Sequence, residues 1–268
     1  MTDTEALITA ARQYCQNNYS YWVNRYSHER TEGGSAEYPY AGNDHHLFPR
    51  YQVLSAILGA VEGLASMHYP DLKDCQEALA AVGSSANNSF TTGKENEAAC
   101  KAMQDERNKF VDFIQHIIPS ALSMVSPLPH RRRLREEEKR QVRHLLLQRW
   151  NYDGGYWNPL VEKCPTASIF LMKDNITQAD FQAIKAFIQS HALPILFDIN
   201  EAGTDSEVEN SQFDPDCYET AYCDNSFDWI VYGSHESTVA FGGERLLSFV
   251  RGLFADRPEK INLWEQNW

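Results

Sequence analysis

An α+β fold is predicted for this chain, with a mostly helical N-terminal region followed by a smaller α+β region. Three observations predict it. Up to Trp150, apolar residues recur three and four apart, the spacing of amphipathic helices. At Asn151 the pattern breaks into NYDGGYWNP, whose Gly, Asn and Pro read as a connection. Beyond it, apolar runs of strand length flank a capped helix, and a hairpin plus helix follow. The expected regions are 1–150 and 151–268, joined by a connection short enough for them to pack as one body.

Leu7, Ile8, Ala11, Tyr14, Cys15 and Tyr19 predict a first helix over about 4–25, followed by a polar loop. Pro49 suits the first turn of a second helix carrying Leu54, Ile57, Leu58, Val61 and Leu64. Asp71 begins a third helix, with Leu72, Cys75, Leu79 and Val82 on one face and Gly83 as its stop. A fourth is expected over about 95–118, before Pro119. Glu106 falls inside its apolar stripe, between Met103 and Phe110, so the carboxylate needs a cationic partner. An arginine from another helix, Arg50, would serve. After the Pro-rich SPLPH, Val142, Leu145, Leu146 and Trp150 mark a helix over about 135–150.

In the second region, ASIFLM and LPILFDI read as buried strands around a helix capped by Thr177, a βαβ-like unit. The acidic tract to Asp216 reads as an irregular loop, and 218–223 as a strand. The stretch DWIVYGSHESTVAFGG reads as a hairpin with GSHE as its loop, Gly233 supplying a positive φ. Gly242-Gly243 then opens a last helix. Trp264 and Trp268 are expected to dock on the body, because aromatic side chains are costly to leave wet.

With 43% hydrophobic and 23% charged residues, the composition is that of a globular protein. No apolar run approaches the roughly 20 residues of a membrane span, and the acidic N-terminus lacks the pattern of a signal peptide. A cytoplasmic protein without membrane contact is expected. The six cysteines form no CxxC pair and no Cys-His ladder, so reduced core residues are expected, with Cys217 and Cys223 as the closest pair. No cofactor or metal is expected. Asp214-Pro-Asp216 lacks the Gly and distal Glu of a calcium loop.

The net charge of -13 is unevenly placed. Residues 1–150 hold 17 basic and 18 acidic side chains, and residues 151–268 hold 7 and 19. From Asp198 to Asp228 there are ten carboxylates and no Lys or Arg. Such a field repels nucleic acid and attracts a basic partner. The leading expectation is a bacterial binding protein of the immunity or antitoxin type, using this surface to neutralise a basic protein such as a nuclease toxin. Its expected contact residues are Asp205, Glu207, Glu209, Asp214, Asp216, Glu219 and Asp224. No direct nucleic-acid contact is expected. The basic run HRRRLR is followed by Glu136, Glu137 and Glu138 on what should be the same helix, where pairing would neutralise much of it.

The alternative is a small hydrolase or transferase. His235 and Glu236 offer an acid–base pair, joined by His46 or Asp44 if the fold brings them near. Neighbours on a strand point to opposite faces, so His235 and Glu236 can share a site only if both lie in the turn. Neither HExxH nor a helical i, i+4 histidine pair is present, and His45 and His46 are adjacent, which disfavours a shared metal. There is no phosphate-binding glycine loop and no nucleophile elbow. A third reading is an oligomeric scaffold, marked by an exposed apolar patch.

At FPRY (48–51), PLPHRRRL (127–134), GYWNPL (155–160) and DWIVYGSHES (228–237) the chain resembles a family of bacterial proteins of unassigned function. The resemblance implies that FPRY and SHES belong together, and it brings no established activity.

Overall fold

The computed structural model describes residues 1–32, 44–92, 96–161 and 164–263. They form two compact units, Met1–Leu128 and Pro129–Trp268. The expected docking of Trp264 and Trp268 lies outside the described residues.

The first unit is helical: α1 (Asp3–Glu32), α2 (Asp44–Gly63), α3 (Leu72–Ser85), α4 (Glu97–His116) and the short α5 (Pro119–Leu122). Its core gathers the predicted stripes, with Leu7, Ile57, Val61, Leu79, Phe110 and Ile114 all buried. Asp71 caps α3 by accepting from the Asp74 amide at 2.9 Å, and Asn96 caps α4 in the same way. The predicted partner of Glu106 is present: Arg50 bonds it directly, and a second guanidinium nitrogen reaches Asp105 at 3.2 Å. Two expectations change. Helix α2 starts a turn early, at Asp44, which leaves Pro49 inside the helix. Gly83 does not stop α3. It is buried, and a Cβ there would meet the Phe110 ring at 2.3 Å, so close packing explains the glycine.

The second unit contains β1 (Arg131–Arg133), α6 (Glu136–Trp150), β2 (Ser168–Met172), α7 (Gln178–His191), β3 (Ile195–Asn200), β4 (Ser206–Glu209), β5 (Thr220–Asp224), β6 (Ile230–Gly233), β7 (Thr238–Gly242) and α8 (Glu244–Leu253). Helix α6 therefore belongs with the sheet, and the second unit begins earlier than the composition change at Asn151. The strands make one seven-stranded sheet in the order β1-β4-β3-β5-β6-β7-β2, with every pair antiparallel. The strand–helix–strand order β2-α7-β3 is present, but β5, β6 and β7 lie between its two strands, so they do not pair as a βαβ unit would.

Alternation along each strand sorts the core into two layers. Ile169, Leu171, Val231, Val239 and Phe241 face α7 and α8. Phe170, Ile230, Tyr232 and Ala240 face α6 and Trp150. With both faces covered, the strands read as continuous apolar runs despite being antiparallel. Thr177 and Asp180 form the capping box of α7, and Gly243, at φ 110°, precedes α8 as expected.

Moving the boundary also moves the charge. The second unit carries 15 Lys+Arg against 22 Asp+Glu, net -7, and the first carries 9 against 15, net -6. The asymmetry between the halves disappears, because the basic run lies in the same unit as the acidic tract.

Candidate functional site

The hairpin expected at the C-terminal end is present, with Val231 opposite Phe241 and Tyr232 opposite Ala240. Its loop is Ser234 to Ser237, one residue later than expected. Gly233 ends β6 and has no positive φ. It is needed because a Cβ there would lie 2.1 Å from the Cys217 carbonyl oxygen. The left-handed position falls instead on Ser237, at φ 54°. Ser234 closes the loop: its amide donates to the Thr238 carbonyl at 3.0 Å, and its hydroxyl, 2.6 Å from the Thr238 hydroxyl, also accepts from the Glu236 amide.

Sheet register brings other groups to this tip. Asn200, Thr220 and Gly233 stand in one row across β3, β5 and β6. One residue past that row on each strand lie Glu201, Glu219 and Ser234, the last followed by His235. Glu201 donates its amide to the Glu219 carbonyl at 3.0 Å. Glu219 adopts φ 47°, unusual for a residue with a Cβ.

The imidazole of His235 lies between two carboxylates, with Nδ1 3.2 Å from Glu219 Oε1 and Nε2 3.3 Å from Glu236 Oε1. Because both His235 and Glu236 lie in the turn, the opposite-face objection does not apply. Glu201, Glu219 and His235 each offer a ligand atom within 4.8 Å of the others, and among the described residues this is the only such group of His, Cys, Asp and Glu. No metal is expected from the sequence, and the group whose atoms are close enough to hold one lies at the residues first suspected of acid–base work.

An aromatic wall backs the cluster. Tyr232 donates its hydroxyl to Glu201 and accepts from the Trp157 amide. Burial, reinforced by Glu201, pushes the Tyr232 phenol well above its ordinary range. The Tyr156 and His235 ring centroids are 5.6 Å apart, and Tyr152 and Trp157 pack on Tyr232. Tyr152, Tyr156 and Trp157 of this wall come from the segment expected to be only a connection.

The expected acidic surface is largely an internal network. Residues 206–209 are strand β4, not loop, and they pair with β1, which the basic run forms instead of joining the helix. Asp205 is 2% exposed and receives two bonds from Arg143, at 2.7 and 2.8 Å. Glu207 accepts from Arg132 at 2.8 Å, Asp198 pairs with Arg131 at 3.0 Å, and Glu209 accepts from the His130 amide. Asp224 is buried and accepts from the Leu193 and Ser226 amides. Asp216 pairs with Lys173, Asp214 closes a turn by accepting from the Asp216 amide, and Asp228 pairs with Arg149. With Glu201 and Glu219, all ten carboxylates of the tract have partners in their own unit.

Cys15, Cys75, Cys217 and Cys223 are buried free thiols, as expected of core residues. Cys100 is exposed and Cys164 half-buried. Burial pushes the Cys217 thiol up to about 12. His46 is exposed on α2 of the first unit, where Asp44 pairs with Arg30 at 3.6 Å. A separate cleft of about 850 Å³ in the second unit, lined by Phe187, His191, Asp224, Trp229 and Arg245, does not include His235. Among the described residues no helix is long and apolar enough to cross a membrane.

No family model, curated protein or solved structure matches this chain.

Proposed function

We propose that the second unit is a small hydrolase or transferase whose acid–base centre is His235, held by Glu219 and Glu236. The observation that supports this reading is the imidazole set between carboxylates at 3.2 and 3.3 Å. One carboxylate fixes the tautomer and steadies the imidazolium, while the other nitrogen moves the proton. Glu219 supplies the partner from elsewhere in the chain. Water suits the nucleophile's part better than serine, since the Ser234 hydroxyl is already engaged with Thr238 and the Glu236 amide.

A positioned acid–base group contributes typically 10²–10⁴-fold. On a panel of p-nitrophenyl esters and phosphoesters, His235→Ala is expected to lower kcat/KM by roughly 100-fold or more on whichever member is turned over. A residual rate equal to wild type would sink the proposal. So would the absence both of turnover across the panel and of ¹⁸O incorporation from labelled water into metabolite extracts.

A second reading, an immunity-type binder of a basic protein, now rests on a narrower surface. Tyr218 is 61% exposed beside the exposed Asp214 and Asp216, an aromatic flanked by acids as at many interfaces. Failure of a host pulldown to recover any basic protein in a salt-sensitive manner would count against it.

A further inference from the structure

We infer that Glu201, Glu219 and His235 form a binding site for a divalent first-row cation, with at least one coordination position left open. The inference rests on the reading of this tip as a reactive centre, but with Nδ1 on a cation and Nε2 facing Glu236 the cation-bound water, not the imidazole, takes over the proton transfer, and its test is separable from that reading.

The first reason is electrostatic. In the tautomer that carries its proton on Nε2, which lies 3.3 Å from Glu236, the Nδ1 lone pair of His235 faces the Glu219 oxygen at 3.2 Å, acceptor against acceptor. The Glu201 carboxylate reaches the same place, within 4.8 Å. Either a proton or a cation must sit among these atoms. A dication would balance the two carboxylates and take the imidazole nitrogen as a neutral ligand.

The second reason is that the ligands are braced from behind. Metal-bound histidines nearly always give their other nitrogen to a carboxylate or carbonyl, and ligating carboxylates are themselves hydrogen-bonded. Glu236 lies 3.3 Å from the other imidazole nitrogen, within reach of the first role, and Tyr232 holds Glu201 in the second.

The third reason is independent of the cluster. Tyr152 and Trp157 are each 1% exposed, and the Tyr152 hydroxyl and Trp157 indole N–H have no hydrogen-bond partner among the described residues. Both rings pack on Tyr232, which bonds Glu201, and the charges of Arg143, Glu201 and Asp205 all act on the Tyr152 phenol. Buried donors without a protein acceptor call for a water or ligand oxygen, and a hydrated cation beside Glu201 would bring such oxygens.

One nitrogen and two carboxylate ligands favour the Mn²⁺-to-Zn²⁺ series over Ca²⁺, which takes oxygen ligands alone. Three protein ligands with an open position is the arrangement of catalytic rather than structural zinc. Zn²⁺ held in this way lowers the pKa of bound water to about 7.

The test titrates chelator-treated full-length protein with Mn²⁺, followed by electron paramagnetic resonance, and with Co²⁺, followed by its visible spectrum. Mn²⁺ is the primary probe because the exposed Cys100 could take up Zn²⁺. One Mn²⁺ per chain is expected. His235→Ala and the pair Glu201→Gln/Glu219→Gln should each weaken binding by tenfold or more, and Glu236→Gln by a smaller factor. Asp214→Asn, outside the cluster, should leave it unchanged. Circular dichroism checks that each variant folds. No uptake at millimolar Mn²⁺, or uptake indifferent to the ligand variants, would overturn the inference. Hydrolysis that persists in chelator would leave the acid–base reading standing without the cation. Specific uptake with no turnover would leave the cation site standing without the enzyme.

Discussion

The β1/β4 edge and the hairpin tip lie in one unit and use the same residue types in opposite ways. At the edge, each carboxylate meets a guanidinium or an amide: Asp205 meets Arg143, Glu207 meets Arg132 and Asp198 meets Arg131. At the tip, carboxylates and an imidazole converge, and among the described residues no Lys or Arg pairs with them. The edge is closed and its charge is spent on holding strands together. The tip is partly exposed, and its carboxylates are partnered by an imidazole and a phenol rather than by a fixed positive charge. Acidic composition alone does not distinguish the two, because the difference is made by what the fold places opposite each carboxylate.

If this contrast is right, substitutions at the edge should cost stability and those at the tip should cost function. The largest effect is expected from Arg143→Ala, which leaves the buried Asp205 without its charge partner. Uncompensated buried charges cost about 3–5 kcal/mol. Denaturant unfolding measures it, and a loss below about 1 kcal/mol would place Asp205 among ordinary surface acids.

Next comes pH. His130 and Arg132 hold the Glu207 carboxyl at about 2, against an ordinary 4.5. The folded value is depressed, so the stabilisation is complete above about 4.5 and is lost as pH falls toward 2. The loss should be about 2 kcal/mol, after allowing for the 26% of the side chain still facing water. Glu207→Gln should flatten the stability profile over that window. An unaltered profile would show that the ion pairs of β1 and β4 do not govern acid unfolding.

The smallest effect sharpens the comparison most. Glu219 holds a positive φ that glycine adopts without cost. Glu219→Gly should therefore leave stability unchanged or raise it by up to about 1 kcal/mol, while weakening Mn²⁺ uptake. A drop of more than about 1 kcal/mol in thermal or chemical unfolding would make Glu219 a structural residue.

The local features were legible before folding. Caps at Asp71 and Thr177, the stripe of α2, the hairpin and the Arg50–Glu106 pair all depend on short-range pattern or on one buried charge demanding a partner. The pairing of Arg131 with Val208 was not, because nothing near either residue encodes a partner so distant in the chain. For the same reason the acidic tract looked like a bare surface. His235 and Glu236 were visible as neighbours, but Glu201 and Glu219 carried no local signal. A register of three strands brings them in, and a glycine chosen for space rather than φ lets β6 approach Cys217.

The amino-acid sequence by itself determined the α+β class, most of the helices and the hairpin that presents His235, because periodicity, caps and turn residues act over a few positions. Only the tertiary structure decided which carboxylates are neutralised and which converge. That outcome depends on strand order and register, which long-range packing sets after the local elements are specified.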